Sequence, residues 1–340
     1  MMASGKVDIS VVVPVFYSAQ IFPVLYERLV NTLEKVTASF EIIAVVDGCT
    51  DNSAAVISEV NARDSRVKMI EFSRNFGNQM AITAGLRFST GDTVVVIDDD
   101  LEDPPELILS LIDKANEGFD VVYAMRKKRN ISWLRNGAFK LYYKIFSKLS
   151  NFDVPENVGD YCLMRRPVVD VLNAMPESHR YVRGLRSWAG FRQTGIEYDR
   201  DDRLSGQSGF NLVRYIRFAL DGIFSFSQVP LMLSTYLGFF ISLVSFMLGL
   251  WFFIAKLMGL LPDVPGWSSI AVIILFIGGV QLLSVGVLGQ YIGRIYDEVK
   301  KRPPYIIKQS LGISSIEQST SSFPNGEPAI HSAVERDSEG

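Results

Sequence analysis

The sequence predicts an α/β protein. Residues 1–210 read as an open, doubly wound sheet, and two membrane-spanning helices follow. Three observations predict this. Apolar runs alternate with segments of helical spacing, which argues for a sheet covered on both faces. Polar and acidic residues gather where those runs end. No charged residue occurs from Gly222 to Ala255 or from Val264 to Gly293, and each stretch exceeds the ~20 residues a spanning helix needs.

Taken in order, Ile9 to Phe16 is a continuous apolar run, as expected of a parallel strand buried on both faces. Ile21 to Val36 has helical spacing. Glu41 to Val46 reads as a second strand, Asn52 to Asn61 as a helix, Val67 to Phe72 as a third strand and Gln79 to Phe88 as a helix. Thr93 to Ile97 is a fourth strand. Pro104 and Pro105 open the next helix, where proline is tolerated in the first turn. Asp120 to Ala124 is a fifth strand. Ligands of such sheets bind outside the carboxyl ends of the strands.

The membrane spans are expected at about Leu231 to Ile254 and Ser269 to Ile292. Arg214 and Arg217 precede the first; Arg294, Lys300, Lys301 and Arg302 follow the second; the connection carries only Lys256. The positive-inside rule then puts both termini in the cytoplasm, in agreement with a polar start that lacks the shape of a signal peptide. The expected organisation is a soluble domain over 1–210, a juxtamembrane amphipathic helix over 211–228, a two-helix hairpin over 229–293 and a tail over 294–340, disordered after about 312.

Composition narrows the function. Of 340 residues, 48% are hydrophobic and 21% charged, and 34 Lys and Arg against 37 Asp and Glu leave a net charge of -3. That excludes a broadly basic nucleic-acid binder, and no nucleic-acid partner is expected. Cys49 and Cys162 are the only cysteines, and His179 and His331 the only histidines. A disulfide framework and a Cys/His zinc site are thereby excluded. There is no Gly-x-x-x-x-Gly-Lys phosphate loop, and no Gly-x-Gly-x-x-Gly follows the first strand.

The fourth strand runs into Asp98, Asp99, Asp100, Glu102 and Asp103, five carboxylates in six residues. They repel one another unless a cation lies among them. In an extended segment alternate residues point the same way, so Asp98, Asp100 and Glu102 are candidates to converge on a hard ion, Mg²⁺ or Mn²⁺. The other reading is an acidic loop capping the helix at Pro104, with Asp103 in that role. From Val121 to Phe152 there are eight Lys or Arg and no acid. Lys140, Lys144 and Lys148 repeat along one helical face opposite Phe139, Tyr142, Tyr143 and Phe146, the pattern of a helix on an anionic bilayer surface. Arg126 and Arg135 are the candidates to bind a phosphate group arriving at that surface, because guanidinium groups bind phosphate bidentately.

An ordered set of motifs carries a resemblance. It comprises Val13 to Phe16 (Val-Pro-Val-Phe), Asp47-Gly48-Cys49-Thr50-Asp51-Asn52-Ser53, Asn75-Phe76-Gly77-Asn78, Gly91-Asp92 and the acidic run Asp98 to Glu106. Val158 to Arg166, Arg183 to Phe191 and Arg203 to Phe210 follow. Together they resemble glycosyltransferase family 2, and more narrowly the polyprenyl-phosphate sugar synthases, the group of dolichyl-phosphate mannose synthase and its membrane-anchored bacterial relatives. The resemblance implies a GT-A fold, inverting sugar transfer, a nucleotide-sugar donor, a polyprenyl (undecaprenyl) phosphate acceptor and a homo-oligomer in the bacterial cytoplasmic membrane. It implies that the acidic motif, Asp98, Asp99 and Asp100 with Glu102, holds the donor diphosphate through a divalent metal. By the same likeness Asp47 meets the nucleoside, Pro14 and Phe16 line the base pocket, Arg203 meets the donor phosphates, and Asp160 stands near the reacting centre.

Some positions depart from the family pattern. Tyr17 and Ser18 replace Asn-Glu, Val46 and Cys49 alter Asp-Asp-Gly-Ser, Glu102 replaces Gln, Tyr161-Cys162 replaces Phe-Arg, and Gly209-Phe210 replaces Lys-Tyr. The alternatives are transfer to a lipid-linked saccharide and a catalytically inactive membrane scaffold.

Overall fold

The computed structural model describes residues 6–126, 158–177, 180–198, 229–258 and 266–313. Arg135, the Lys140–Lys148 face, Arg203 and the 211–228 helix lie outside these residues. The described residues up to Tyr198, with Lys301 to Ile313, form one compact unit, and the two long helices form another.

The first unit is built on a sheet of eight strands. In chain order these are β1 (Ile9–Val15), β2 (Phe40–Val46), β3 (Val67–Phe72), β4 (Thr93–Val96), β5 (Val121–Arg126), β6 (Val158–Arg165), β7 (Gln193–Tyr198) and β8 (Ile307–Leu311). Their spatial order is β7-β5-β6-β4-β1-β2-β3-β8. The helices are α1 (Phe22–Leu33), α2 (Ser53–Arg63), α3 (Asn78–Phe88), α4 (Leu107–Asn116), α5 (Arg166–Ala174) and α6 (Val182–Trp188). β1 pairs in parallel with β2 and β4, and β2 with β3. β6 runs antiparallel between β4 and β5, and β8 antiparallel along β3. The expected α/β sheet is present, but it is mixed.

The continuous apolar runs become strands because both faces are covered. Val11, Val13, Ile42 and Ala44 face a core filled by Leu25 and Leu29 of α1, Ile57 of α2 and Ile108 and Leu111 of α4. Ile43, Val45 and Ile70 face the other side, against Ala81, Ala84 and Phe88 of α3. α3 comes close to β1 because it carries glycine there. A Cβ on Gly85 would lie 2.1 Å from Cγ1 of Val12. Pro14, buried in the central strand β1, costs little for a related reason. Pairing of β1 with β4 ends at Val12, so the missing N–H falls beyond the β4 ladder.

β8 was not expected from the sequence. The chain leaves the sheet after β7, and a strand that follows both long helices joins the free edge of β3. Ser73 N donates to Ile306 O (3.0 Å), and Lys308 Nζ donates to Glu71 Oε1 (2.6 Å). Tyr305 is buried and stacks on Phe72 at 5.0 Å between ring centroids.

The second unit holds α7 (Val229–Leu257) and α8 (Trp267–Lys300), of 29 and 34 residues. Each contains a window long and apolar enough to cross a membrane, judged by length and composition, and neither window is buried within the protein. α8 continues to Lys300, past the expected end of the hairpin, through a last stretch that is charged.

Candidate active site

The carboxyl ends of β1, β2 and β4 and the start of β6 meet along one edge of the sheet. The β4–β6 register, Val96 opposite Cys162, brings Asp98 and Asp160 opposite each other when continued by two residues. An antiparallel strand inserted among parallel ones thus adds its own carboxylate to the edge where the acidic run ends.

Acids tie the four loops after β1, β2, β3 and β4 together in pairs. Asp47, 3% exposed, accepts N–H from Phe76 (2.7 Å) and Gly77 (2.9 Å) on its two oxygens. Gly48 leaves β2 with φ +63°, and a Cβ there would sit 2.1 Å from the carbonyl carbon of Arg74. Only glycine permits the 74–77 loop to close so tightly. Asp99 Oδ2 accepts the N–H of Phe16 (2.9 Å) and the hydroxyl of Ser18 (2.5 Å). Burial pushes its carboxyl above the usual range despite these bonds. Tyr17 sits at φ 57°. Its N–H reaches Cys49 Sγ at 3.2 Å, and its hydroxyl lies 3.1 Å from Thr50 Oγ1. Of the departures at positions 17, 18 and 49, Tyr17 and Cys49 touch each other and Ser18 binds Asp99. Phe16 is 50% exposed beside them, its ring edge-on to that of Tyr17.

The acidic run itself is not extended. It turns at Asp99 and Asp100, and Leu101 adopts φ 58°. Asp100 Oδ1 accepts the N–H of Glu102 at 3.1 Å, and Glu102 is buried. The strand-like alternation assumed for Asp98, Asp100 and Glu102 is therefore corrected: the run is a turn. Among the described residues no three acids, cysteines or histidines form a metal-holding group. The donor chemistry still fits a hard cation. Burial, followed by the charges of Asp160, Asp103, Asp100 and Asp99, pushes Asp98 up to about 7, so the edge carries more negative charge than it can comfortably hold.

Asp103 is 1% exposed. Its Oδ1 accepts the hydroxyl of Tyr198, and its Oδ2 lies 3.7 Å from Nη2 of Arg126. Burial raises the Asp103 carboxyl. Burial opposes the charge on Arg126, but Asp103, Tyr198 and Asp98 together outweigh it and the net shift is upward. Arg126, expected at the acceptor phosphate, is thus anchored at the acidic edge. A Cβ on Gly159 would come within 3.3 Å of its Nη2. Tyr161 donates its hydroxyl to Pro104 O at 3.0 Å.

Asp160 is 9% exposed. Oδ1 accepts Nε–H of Arg183 at 2.9 Å, and Oδ2 accepts Nε2–H of Gln79 at 3.1 Å. Sequence reasoning missed Gln79, Arg183 and Tyr198. The first directly follows the Asn75-Phe76-Gly77-Asn78 motif and the second opens the Arg183–Phe191 segment, so both carried a signal. Tyr198, a lone tyrosine in β7, carried none.

A sheet with helices on both faces and a carboxylate-lined carboxyl edge has the GT-A-type arrangement of a glycosyltransferase. Comparison with known proteins gives the family. The profile of glycosyl transferase family 2 matches residues 10–172. The SfII prophage-derived bactoprenol glucosyl transferase of Shigella flexneri is 43% identical, over 89% of this chain and 98% of its own. Bacillus subtilis YkcC, described as an uncharacterized glycosyltransferase, is 42% identical over 92% of this chain and 97% of its own. Among solved structures, glucosyl-3-phosphoglycerate synthase from Mycobacterium tuberculosis is 16% identical, covers 65% of this chain and 77% of its own, and has a TM-score of 0.46. The chain belongs to glycosyl transferase family 2.

Proposed function

We propose that the protein transfers a sugar from a nucleotide sugar to a polyprenyl phosphate such as undecaprenyl phosphate, with inversion, at the cytoplasmic face of a bacterial inner membrane. The observation that carries this reading is the pairing of the 98–103 acidic turn with Asp160 at one sheet edge. It occurs in a chain 43% identical, nearly end to end, to a bactoprenol glucosyl transferase. Two helices of spanning length support a lipid acceptor. The multi-pass topology, with both termini cytoplasmic, follows from the flanking charges, and a homo-oligomer belongs to the same reading.

A phosphate oxygen of the acceptor attacks the anomeric carbon as the nucleoside diphosphate leaves. A phosphate monoester has a second pKa of about 6 and is mostly dianionic at neutral pH, so it needs little help from a base. Asp160 then serves to position the acceptor and to stabilise positive charge at the anomeric carbon. Asp47 shapes the nucleoside pocket through the 74–77 loop, alongside Pro14, and exposed Phe16 offers its ring to the base. Arg126 holds the acidic turn and lies beside Gly159, the residue before Asp160, where it attracts the acceptor phosphate together with Arg135. Arg203 meets the donor phosphates. Asp98 and Asp100 would hold Mg²⁺ or Mn²⁺, with Glu102 adding negative charge to the same turn; a cation there would supply Lewis-acid neutralisation of the diphosphate.

The test is transfer by the purified full chain, given undecaprenyl phosphate, Mg²⁺ or Mn²⁺, and a panel of labelled nucleotide sugars. Label should enter the organic phase, stop with EDTA and vanish in Asp100→Ala. Binding of nucleotide without transfer from any donor would overturn the acceptor assignment.

A further inference from the structure

We infer that Gln79 is a positioning residue: it fixes the Asp160 carboxylate at the reacting centre and ties it to the first turn of α6. The inference rests on the placement of Asp160 proposed above.

Gln79 uses both ends of its side-chain amide. Nε2–H donates to Asp160 Oδ2 (3.1 Å), and Oε1 accepts the N–H of Val182 (2.9 Å). These partners define the orientation of the amide, because a carboxylate only accepts and a backbone N–H only donates. Val182 is the first residue of α6, and its N–H belongs to the set a helix cannot satisfy internally. One side chain from α3 therefore serves both the helix terminus and the acid on β6.

The second oxygen is held from the other direction. Arg183, the next residue of α6, donates Nε–H to Asp160 Oδ1 (2.9 Å) and Nη1–H to Val158 O (2.6 Å), two residues before Asp160 on β6. Rotating the Asp160 side chain breaks both bonds. Translating α6 pulls on both, because Val182 is tied to Gln79 and Arg183 to β6. Asp160, Gln79 and Arg183 form one closed ring of hydrogen bonds through adjacent α6 residues. A carboxylate that faces a donor on each oxygen is suited to act as an aimed charge. That is the role a phosphate nucleophile leaves open for it.

A purely structural reading is that Gln79 merely caps α6. The two readings assign importance to opposite ends of the amide, and Gln79→Glu separates them. It keeps an acceptor for Val182 but sets a second carboxylate against Asp160; Gln79→Ala removes both ends. If Gln79 acts through Asp160, Gln79→Glu lowers kcat more than Gln79→Ala does. Gln79→Ala itself lowers kcat by about 10-fold, the size of one lost hydrogen bond to a charged group, with the donor KM within about twofold of wild type. In an Asp160→Asn background the penalty of Gln79→Glu disappears, because the asparagine amide donates to the new carboxylate.

A capping role predicts the reverse order, with Gln79→Glu mild, Gln79→Ala severe, and both effects added in full to Asp160→Asn. Either result would overturn the inference. Asp160→Asn alone tests the underlying placement, since unchanged kcat in that variant removes Asp160 from the reacting centre whatever Gln79 does. Should Gln79→Ala fail to fold, comparison of Gln79→Glu in the two backgrounds still decides, because that variant retains the tie to α6.

Discussion

Gly48 shows how much of the site depends on single positions. Its φ of +63° lies where side chains are strained, and a Cβ would collide with the backbone of Arg74 and Asn75. Gly48→Ala should cost about 1–2 kcal/mol for the left-handed conformation alone. It should also push away the 74–77 loop that Asp47 holds. Denaturant unfolding and nucleotide titration together check this; an unshifted midpoint with unchanged affinity would refute it. At the opposite end of the strands, Glu41 is buried in β2. Burial alone would raise its pKa, but Lys68 Nζ at 2.7 Å, the hydroxyl of Ser10 and the N–H of Thr90 prevail, and the net shift is downward. A depressed folded pKa stabilises the protein at pH values above the unfolded pKa of about 4.3, and that stability is lost as pH falls through the folded value. Unfolding free energy should therefore drop below about pH 4, and Glu41→Gln should flatten that part of the profile. A profile equally steep in Glu41→Gln would assign the acid sensitivity to other carboxylates.

At the scale of elements, the acidic turn acts as a clasp. Through Asp99 it holds the loop after β1, and through Asp103 it holds β7 and Arg126. Asp99→Asn keeps an oxygen that accepts from Phe16 and Ser18, whereas Asp99→Ala loses it. Calorimetric titration should show nucleotide affinity about 10-fold weaker in Asp99→Ala and nearly intact in Asp99→Asn. Equal losses would mean that the charge, not the loop geometry, matters. What the sequence revealed follows the same physics. Strands β1 to β5 were legible because burial on both faces writes them as apolar runs, and β3 was found with both ends correct. β6 was not, since Val158 to Arg165 mixes a glycine, an acid and an arginine with its apolar residues. The Gln193–Tyr198 and Ile307–Leu311 strands stand at the two edges of the sheet, where one-sided pairing demands no such run. The strand-like alternation read for Asp98, Asp100 and Glu102 was misjudged for another local reason. Alternation holds only in extended chain, and Leu101 at positive φ ends it. Gln79 and Arg183 each stand at a motif, but their pairing on Asp160 was illegible because the three members come from the separate elements α3, β6 and α6.

At the scale of the whole molecule, the order of segments matters as much as their identity. The sheet-bearing unit is assembled from both sides of the two long helices in the sequence, so that β8 shields the edge of β3 and Tyr305 packs on Phe72. Removing 307–311 from the full chain should destabilise the sheet-bearing unit and expose an edge strand prone to association. Thermal unfolding with light scattering reads both effects, and a variant with unchanged Tm and no scattering would show β8 to be dispensable. This arrangement has a consequence for biosynthesis. Chains are made from the amino terminus, and upstream parts fold first. The last strand of the sheet leaves the ribosome only after both long helices have been made. Until then a nascent chain holds a sheet with an open flank, and that flank closes only on a chain that has already delivered its apolar segments. Completion of the sheet is in this sense a checkpoint: an abortively terminated chain carries the acidic edge but lacks the strand that seals it.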